Sequence, residues 1–145
     1  MRRSKKWLRI ALPILTVLWI GFILSRSMKS GKDSSAESEF YYNLLHSVFP
    51  WITIFIVRKG AHFFEFFILG LLLYWDFRLL WRRSFWLPVL CGLLIAVADE
   101  LLQRVIPERS GELADMLLDL SGVVTACLLA WLFCRLREKR RKRRE

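Results

Sequence analysis

Four apolar stretches, each near the ~20 residues a helix needs to cross a bilayer core, constrain this chain more than any other feature. They lie at about residues 7–25, 60–80, 85–102 and 113–133. A soluble domain of 145 residues seldom carries several such runs, and 55% of this chain is hydrophobic. The expected class is therefore all-α: a four-span transmembrane helix bundle forming one domain over residues 1–145, in the cell membrane as a multi-pass protein.

The segments between the runs are read from their own chemistry. The first run follows Arg2, Arg3, Lys5, Lys6 and Arg9, as a signal peptide would, but Phe22-Ile-Leu-Ser-Arg-Ser lacks an A-x-A-like cleavage pattern, so an uncleaved span is expected. Arg26–Glu39, rich in Ser and charge, reads as a loop. Phe40–Val57 mixes Tyr41, Tyr42, His46 and Trp51 with aliphatics around Pro50, which should break a helix. An interfacial or re-entrant segment before the second span fits this pattern, with His46 as a packing residue. Residues 135–145 form a basic tail.

Orientation follows from the basic residues. With the N-terminus inside, 16 Lys and Arg face the cytoplasm: Arg2, Arg3, Lys5, Lys6, Arg9, Arg78, Arg82, Arg83 and eight in the tail. Only 7 face outward: Arg26, Lys29, Lys32, Arg58, Lys59, Arg104 and Arg109. The positive-inside rule selects four spans with both termini cytoplasmic, and Trp7, Trp75, Trp81, Trp86 and Trp131 then form an inner aromatic belt. The net charge of +10 gathers at the termini, which implies membrane lipids as partners and not nucleic acid. The tail would contact anionic lipid, at about 1 kcal/mol per basic residue. Cys91, Cys127 and Cys134 lie in apolar runs without CxxC or metal spacing and read as small buried hydrophobes.

Against this background the stretch Ala98–Gly122 stands out, with Asp99, Glu100, Gln103, Glu108, Arg109, Glu112, Asp115 and Asp119. An ionisable group at the centre of a span costs about 2.5–3.5 kcal/mol on insertion scales. The topology brings these residues to the outer end of the third and fourth spans, beside Lys59, His62 and Glu65 at the outer end of the second. Spacings of three and four put each set on one helical face. His62, Glu65, Asp99 and Glu100 are the candidate catalytic groups; Lys59, Gln103, Arg109, Asp115 and Asp119 are the candidate ligand-binding groups.

Several chemistries suit such a set. The carboxylates with His62 could hold a hard divalent cation, although the residues identify no particular metal or cofactor. His62 could act as a general base while Lys59 or Arg109 stabilises an anion such as phosphate. The same cations could bind a headgroup without chemistry. Alternatively Lys59 and Arg109 pair with Glu65, Asp99 or Asp119 in an internal network that locks the helices together. Only His-x-x-Glu is present, without the second His of HExxH. An ion or solute path would have to continue inward through Ile68–Leu73 and Leu90–Ala96, which offer almost no polar groups. The residues alone specify neither a reaction nor an oligomeric state. Ser121, Gly122, Thr125 and Ala126 add a small-residue stripe suited to close helix packing.

Two of these stretches resemble a known family. Arg58-Lys-Gly-Ala-His-Phe-Phe-Glu-Phe-Phe-Ile-Leu-Gly70 resembles the RKxAHFxEYxxLG motif of VanZ-like membrane proteins, with Phe66 where Tyr is frequent. Asp99-Glu-Leu-Leu-Gln103, Pro107-Glu-Arg-Ser-Gly111, Asp115 and Asp119-Leu-Ser-Gly122 resemble its second motif, DExxQ…PxRxG…D…D…G, with Ala126 where a second Gly is common. Together they cover roughly residues 50–130. The resemblance implies a small multi-pass protein of the bacterial cell envelope, in a family whose founding member is associated with low-level resistance to the glycopeptide teicoplanin. The expectation is a protein that binds or modifies an anionic, lipid-linked ligand at an outer-leaflet polar site. A small ion or solute transporter and a non-catalytic structural partner are the alternatives.

Overall fold

Within a bilayer every backbone N–H and C=O must be satisfied inside the protein, so long apolar runs become helices. A computed structural model of the chain describes residues 2–80, 84–109 and 111–144, with side chains from Lys6 onward. It contains α1 (Arg2–Ser27), α2 (Gly31–His46), α3 (Ile54–Leu80), α4 (Trp86–Val105) and α5 (Leu113–Lys142), and no strand among the described residues. Trp81, Arg82 and Arg83, counted above at the inner interface, lie outside the described residues, as do Ser110 and the side chains of Arg2, Arg3 and Lys5.

Lys6–Ser27, Trp86–Val105 and Leu113–Lys142 are long and apolar enough to cross a membrane. The 27 residues of α3 reach about 40 Å, but the helix carries Arg58, Lys59, Glu65, Asp76 and Arg78. The pairings Thr16–Asp76 and Trp19–Glu65 run α1 against α3, whereas Ser27–Asp99 runs α1 alongside α4 and Lys59–Asp115 runs α3 alongside α5. One end of the bundle therefore collects the C-termini of α1 and α4 with the N-termini of α3 and α5. It is called the polar end below; the opposite end holds the basic part of α5.

The α3–α5 interface is the largest in the molecule. Its centre is a close backbone approach: a Cβ on Gly70 would lie 2.8 Å from the Val123 backbone and 2.9 Å from the Ala126 side chain. Phe66, Leu69, Leu73, Val123, Cys127 and Ala130 pack around it with Ile23 and Ala96 to form the core. Outside, Val17, Leu18, Phe64, Leu94 and Leu117 are exposed, an apolar perimeter suited to lipid.

The region after the first run departs from expectation. Most of Arg26–Glu39, read above as a loop, is helical: residues 31–39 belong to α2, which runs on to His46 into the segment read as interfacial. Ser30 caps α2 by accepting from the Asp33 backbone N–H at 3.2 Å, and Glu37 ties it to α1 through Arg26 and to the connecting turn through Lys29. No residue of α2 is buried, so an apolar periodicity was never there to read. The break expected at Pro50 falls in the connection between α2 and α3. The helices also outrun the apolar runs: α3 begins six residues before 60, and α5 continues through most of the basic tail to Lys142. There Arg135 and Arg137 stack over Trp131 and Phe133 one turn earlier.

Candidate functional site

The polar end is built from four helix ends and one loop. The last turn of α1 supplies Arg26 and Ser27; the first turns of α3 supply Arg58, Lys59, His62 and Glu65. The last turns of α4 supply Asp99, Glu100 and Gln103, and the first turns of α5 supply Asp115 and Asp119. Exposure is 0% for Asp119, 1% for Asp99 and Gln103, 4% for Asp115 and 5% for Glu100. These are among the most enclosed side chains in the protein, in positions that sequence alone would fill with Leu.

Their partners sort them into three groups. Asp99 accepts from Gln103 Nε2 at 2.7 Å, one helical turn on, and from the Ser27 hydroxyl. Asp115 takes the Lys59 ammonium. Glu65 pairs with Arg26 at 3.0 Å, and Arg26 continues to Glu37 at 3.1 Å. Outside the spanning helices, the hydrogen bond from Lys29 holds the Glu37 carboxyl below its usual range against the burial that pushes it up. His62 Nδ1 stands 3.4 Å from Asp119 Oδ1, near enough for charge but without hydrogen-bond geometry. Neither oxygen of Asp119 has a hydrogen-bond partner among the described residues.

Arg109 does not reach the carboxylates. Its guanidinium donates to the carbonyls of Arg26 and Ser27, at 3.2 and 2.8 Å, and to the Ser34 hydroxyl at 2.8 Å. A cation here satisfies the free carbonyls at the C-terminus of α1. The preceding turn is tight: Glu108 takes φ 63° and lies against Gly31, where a Cβ would not fit. Burial first, then the charge of nearby Arg58, pull the Arg109 pKa down.

Beside this cluster, under α2, is a cavity of about 410 Å³. Arg26, Arg58, Arg109, His62 and Glu65 line it together with Tyr41, Leu45, Ile52, Ile56 and Phe64. Phe64 and Ile56 are themselves exposed, so the apolar wall continues onto the flank of the bundle. A site whose lining combines cations with hydrocarbon suits an amphiphilic anion. For a metal, one donor atom from each of His62, Asp99 and Asp119 lies within 4.8 Å of the other two.

The structure thus gathers Lys59, His62, Glu65, Asp99, Glu100, Gln103, Asp115 and Asp119 at one end, with Arg109 across the mouth of α1. Of the six pairings expected for Lys59 and Arg109, none occurs among the described residues; Lys59 chooses Asp115 and Arg109 chooses backbone and the Ser34 hydroxyl. Sequence reasoning missed Arg26, Ser27, Arg58, Ser34 and Glu37. The available signals were modest: Arg26-Ser27 directly follows the first apolar run, and Arg58 stands beside Lys59 in the first motif.

The family model described as VanZ/LLP1 matches residues 12–134, extending past the motif-bearing stretches to include most of α1 and all of α2. The chain is also 37% identical over 85 residues to an uncharacterized protein of Schizosaccharomyces pombe. That alignment covers 58% of this chain and 52% of the relative, so the chain spans about half the length of the curated relative it matches. No solved structure matches the chain.

Proposed function

The chain belongs to the VanZ/LLP1 family, and from that premise we propose that it is a four-span membrane protein that binds an anionic, lipid-linked ligand in the cavity under α2. In this reading α3 spans the membrane with α1, α4 and α5, both termini are cytoplasmic, and the polar end faces outward. The observation that carries it is the cavity wall. Arg58 Nε is buried without a hydrogen-bond partner among the described residues, Arg109 is close enough to repel it, and Arg26 completes a cationic arc. The same cavity is lined by Leu45, Ile56 and Phe64, the last two exposed on the flank of the bundle, a surface for a hydrocarbon chain. A phosphate would engage the guanidiniums by charge-assisted hydrogen bonds while its chain stays in lipid.

The match in a fungus favours a ligand chemistry that bacteria and fungi share, a phosphate-bearing lipid, over one confined to bacterial walls. An effect on teicoplanin susceptibility would then depend on which lipid a bacterial host presents. Conduction is disfavoured because below the cluster the buried interior is Leu69, Leu73, Ala96, Val123 and Cys127, with Asp76–Thr16 the buried polar pair between helices on that side. The test uses wild-type protein in neutral-lipid nanodiscs titrated with phosphatidic acid or a polyprenyl monophosphate, read by native mass spectrometry. Arg58→Gln is expected to weaken binding about tenfold, roughly 1.4 kcal/mol, with normal membrane levels. Equal binding by variant and wild type would sink the reading.

A further inference from the structure

The cavity leaves the most buried part of the polar end unexplained. Lys59 neutralises Asp115 and Arg26 neutralises Glu65, but Asp99 and Asp119 have no such partner. The hydrogen bonds to Asp99 come from neutral Ser27 and Gln103, and Asp119, fully enclosed, has both oxygens unpartnered among the described residues. Among the described residues His62 is the basic group set against Asp119, and donor atoms of His62, Asp99 and Asp119 lie within 4.8 Å of one another. Two carboxylates at 1% and 0% exposure facing one imidazole are a concentration of negative charge that burial alone makes costly.

We propose that His62, Asp99 and Asp119 bind a divalent first-row cation, Mn²⁺ or Zn²⁺. The separations suit it. Two donors each about 2.1 Å from one ion stand about 3.0–3.4 Å apart for octahedral or tetrahedral angles. His62 Nδ1 and Asp119 Oδ1 are 3.4 Å apart, without hydrogen-bond geometry and at the spacing of two ligands of one ion. No pair of the three donor atoms exceeds 4.8 Å, so small side-chain rotations close the set. Two carboxylates against one dication also make the cluster electrically neutral.

The surroundings fit a metal centre as well. Ser27 and Gln103 hold Asp99 by both oxygens, orienting it as outer-sphere partners orient a ligating carboxylate while leaving a lone pair on each oxygen. Glu100, 5% exposed, is a further oxygen donor within charge reach of Asp99 and Asp119. The imidazole selects against Mg²⁺ and Ca²⁺, which favour all-oxygen shells, and three protein donors leave coordination positions for water. His62 also lines the cavity, so those positions lie toward it. The site rests on its own donors, whether or not the cavity takes a lipid.

The experiment uses the full chain, purified in detergent, stripped with chelator and re-equilibrated with Mn²⁺ or Zn²⁺, with metal content read by mass spectrometry. About one ion per chain is expected in wild type, and none in His62→Ala or Asp119→Asn. Asp76→Asn, a buried carboxylate outside the cluster, should retain it. Because the cluster variants could misfold, Mn²⁺ bound to the wild type is also examined by pulsed paramagnetic resonance. Coupling to an imidazole nitrogen is expected. Substoichiometric metal, or bound Mn²⁺ without that coupling, overturns the proposal and leaves His62 and Asp119 as a buried ion pair.

Discussion

Helices α3 and α5 are tied by an ion pair at each end, and the two pairs could hardly differ more. At the basic end Arg78 meets Glu138 at 3.1 Å with side chains 24% and 44% exposed. At the polar end Lys59 meets Asp115, whose side chain is only 6% exposed, with Asp99, Glu100 and Asp119 in the same enclosure. The first pair is a half-wet strut of the kind worth about 0–1 kcal/mol. The second sits in an enclosure where the buried carboxylates outnumber the cations paired with them, and a buried pair of this type is weak evidence for stability. The same two helices, packed by the same Gly70–Val123 approach, are held together at one end and made into a site at the other. Local burial, not the presence of an ion pair, separates the roles.

That contrast can be broken or sharpened by three substitutions along α3. Lys59→Met should be the most damaging, since it leaves Asp115 charged and buried. The expected loss is about 3 kcal/mol, the low end for a broken buried pair because Lys59 keeps 23% exposure. Denaturant unfolding in detergent measures it, and Lys59→Met with Asp115→Leu should recover most of the loss. Gly70→Val comes next: its Cβ would press on the Val123 backbone and part the helices, at about 2 kcal/mol, read as a lower thermal midpoint. Arg78→Ala should cost about 0.5 kcal/mol or less by the same melt and leave ligand and metal binding intact. If Arg78→Ala rivals Lys59→Met, the distinction between strut and site fails.

Much of the fold was legible. Hydropathy found the four long helices, and the break at Pro50 followed from its missing N–H. Helical spacing together with the direction of each run also placed His62, Asp99, Glu100 and Asp119 at a common end. Helix α2 was not legible, because it buries nothing and is held by a Ser30 cap and by Glu37 reaching Arg26 and Lys29. Arg26 looked like a flanking charge until the end of α1 came to rest against Glu65. The helical course of α5 past residue 133 was hidden by its charge.

The sequence by itself determined a helical membrane protein, the residues that bring charge into it, and the end at which they gather. Those properties are set by hydropathy and helical period, which act over about 20 neighbouring residues. Only the tertiary structure decided that Lys59 takes Asp115, that Arg109 takes the end of α1, and that Asp119 is left with His62 alone. The partners are 56 residues apart for Lys59 and Asp115 and 72 for Ser27 and Asp99. Over such separations a charge has several oppositely charged candidates, and only the packing of Gly70 on Val123 and of Gly122 on Phe63 brings one within reach.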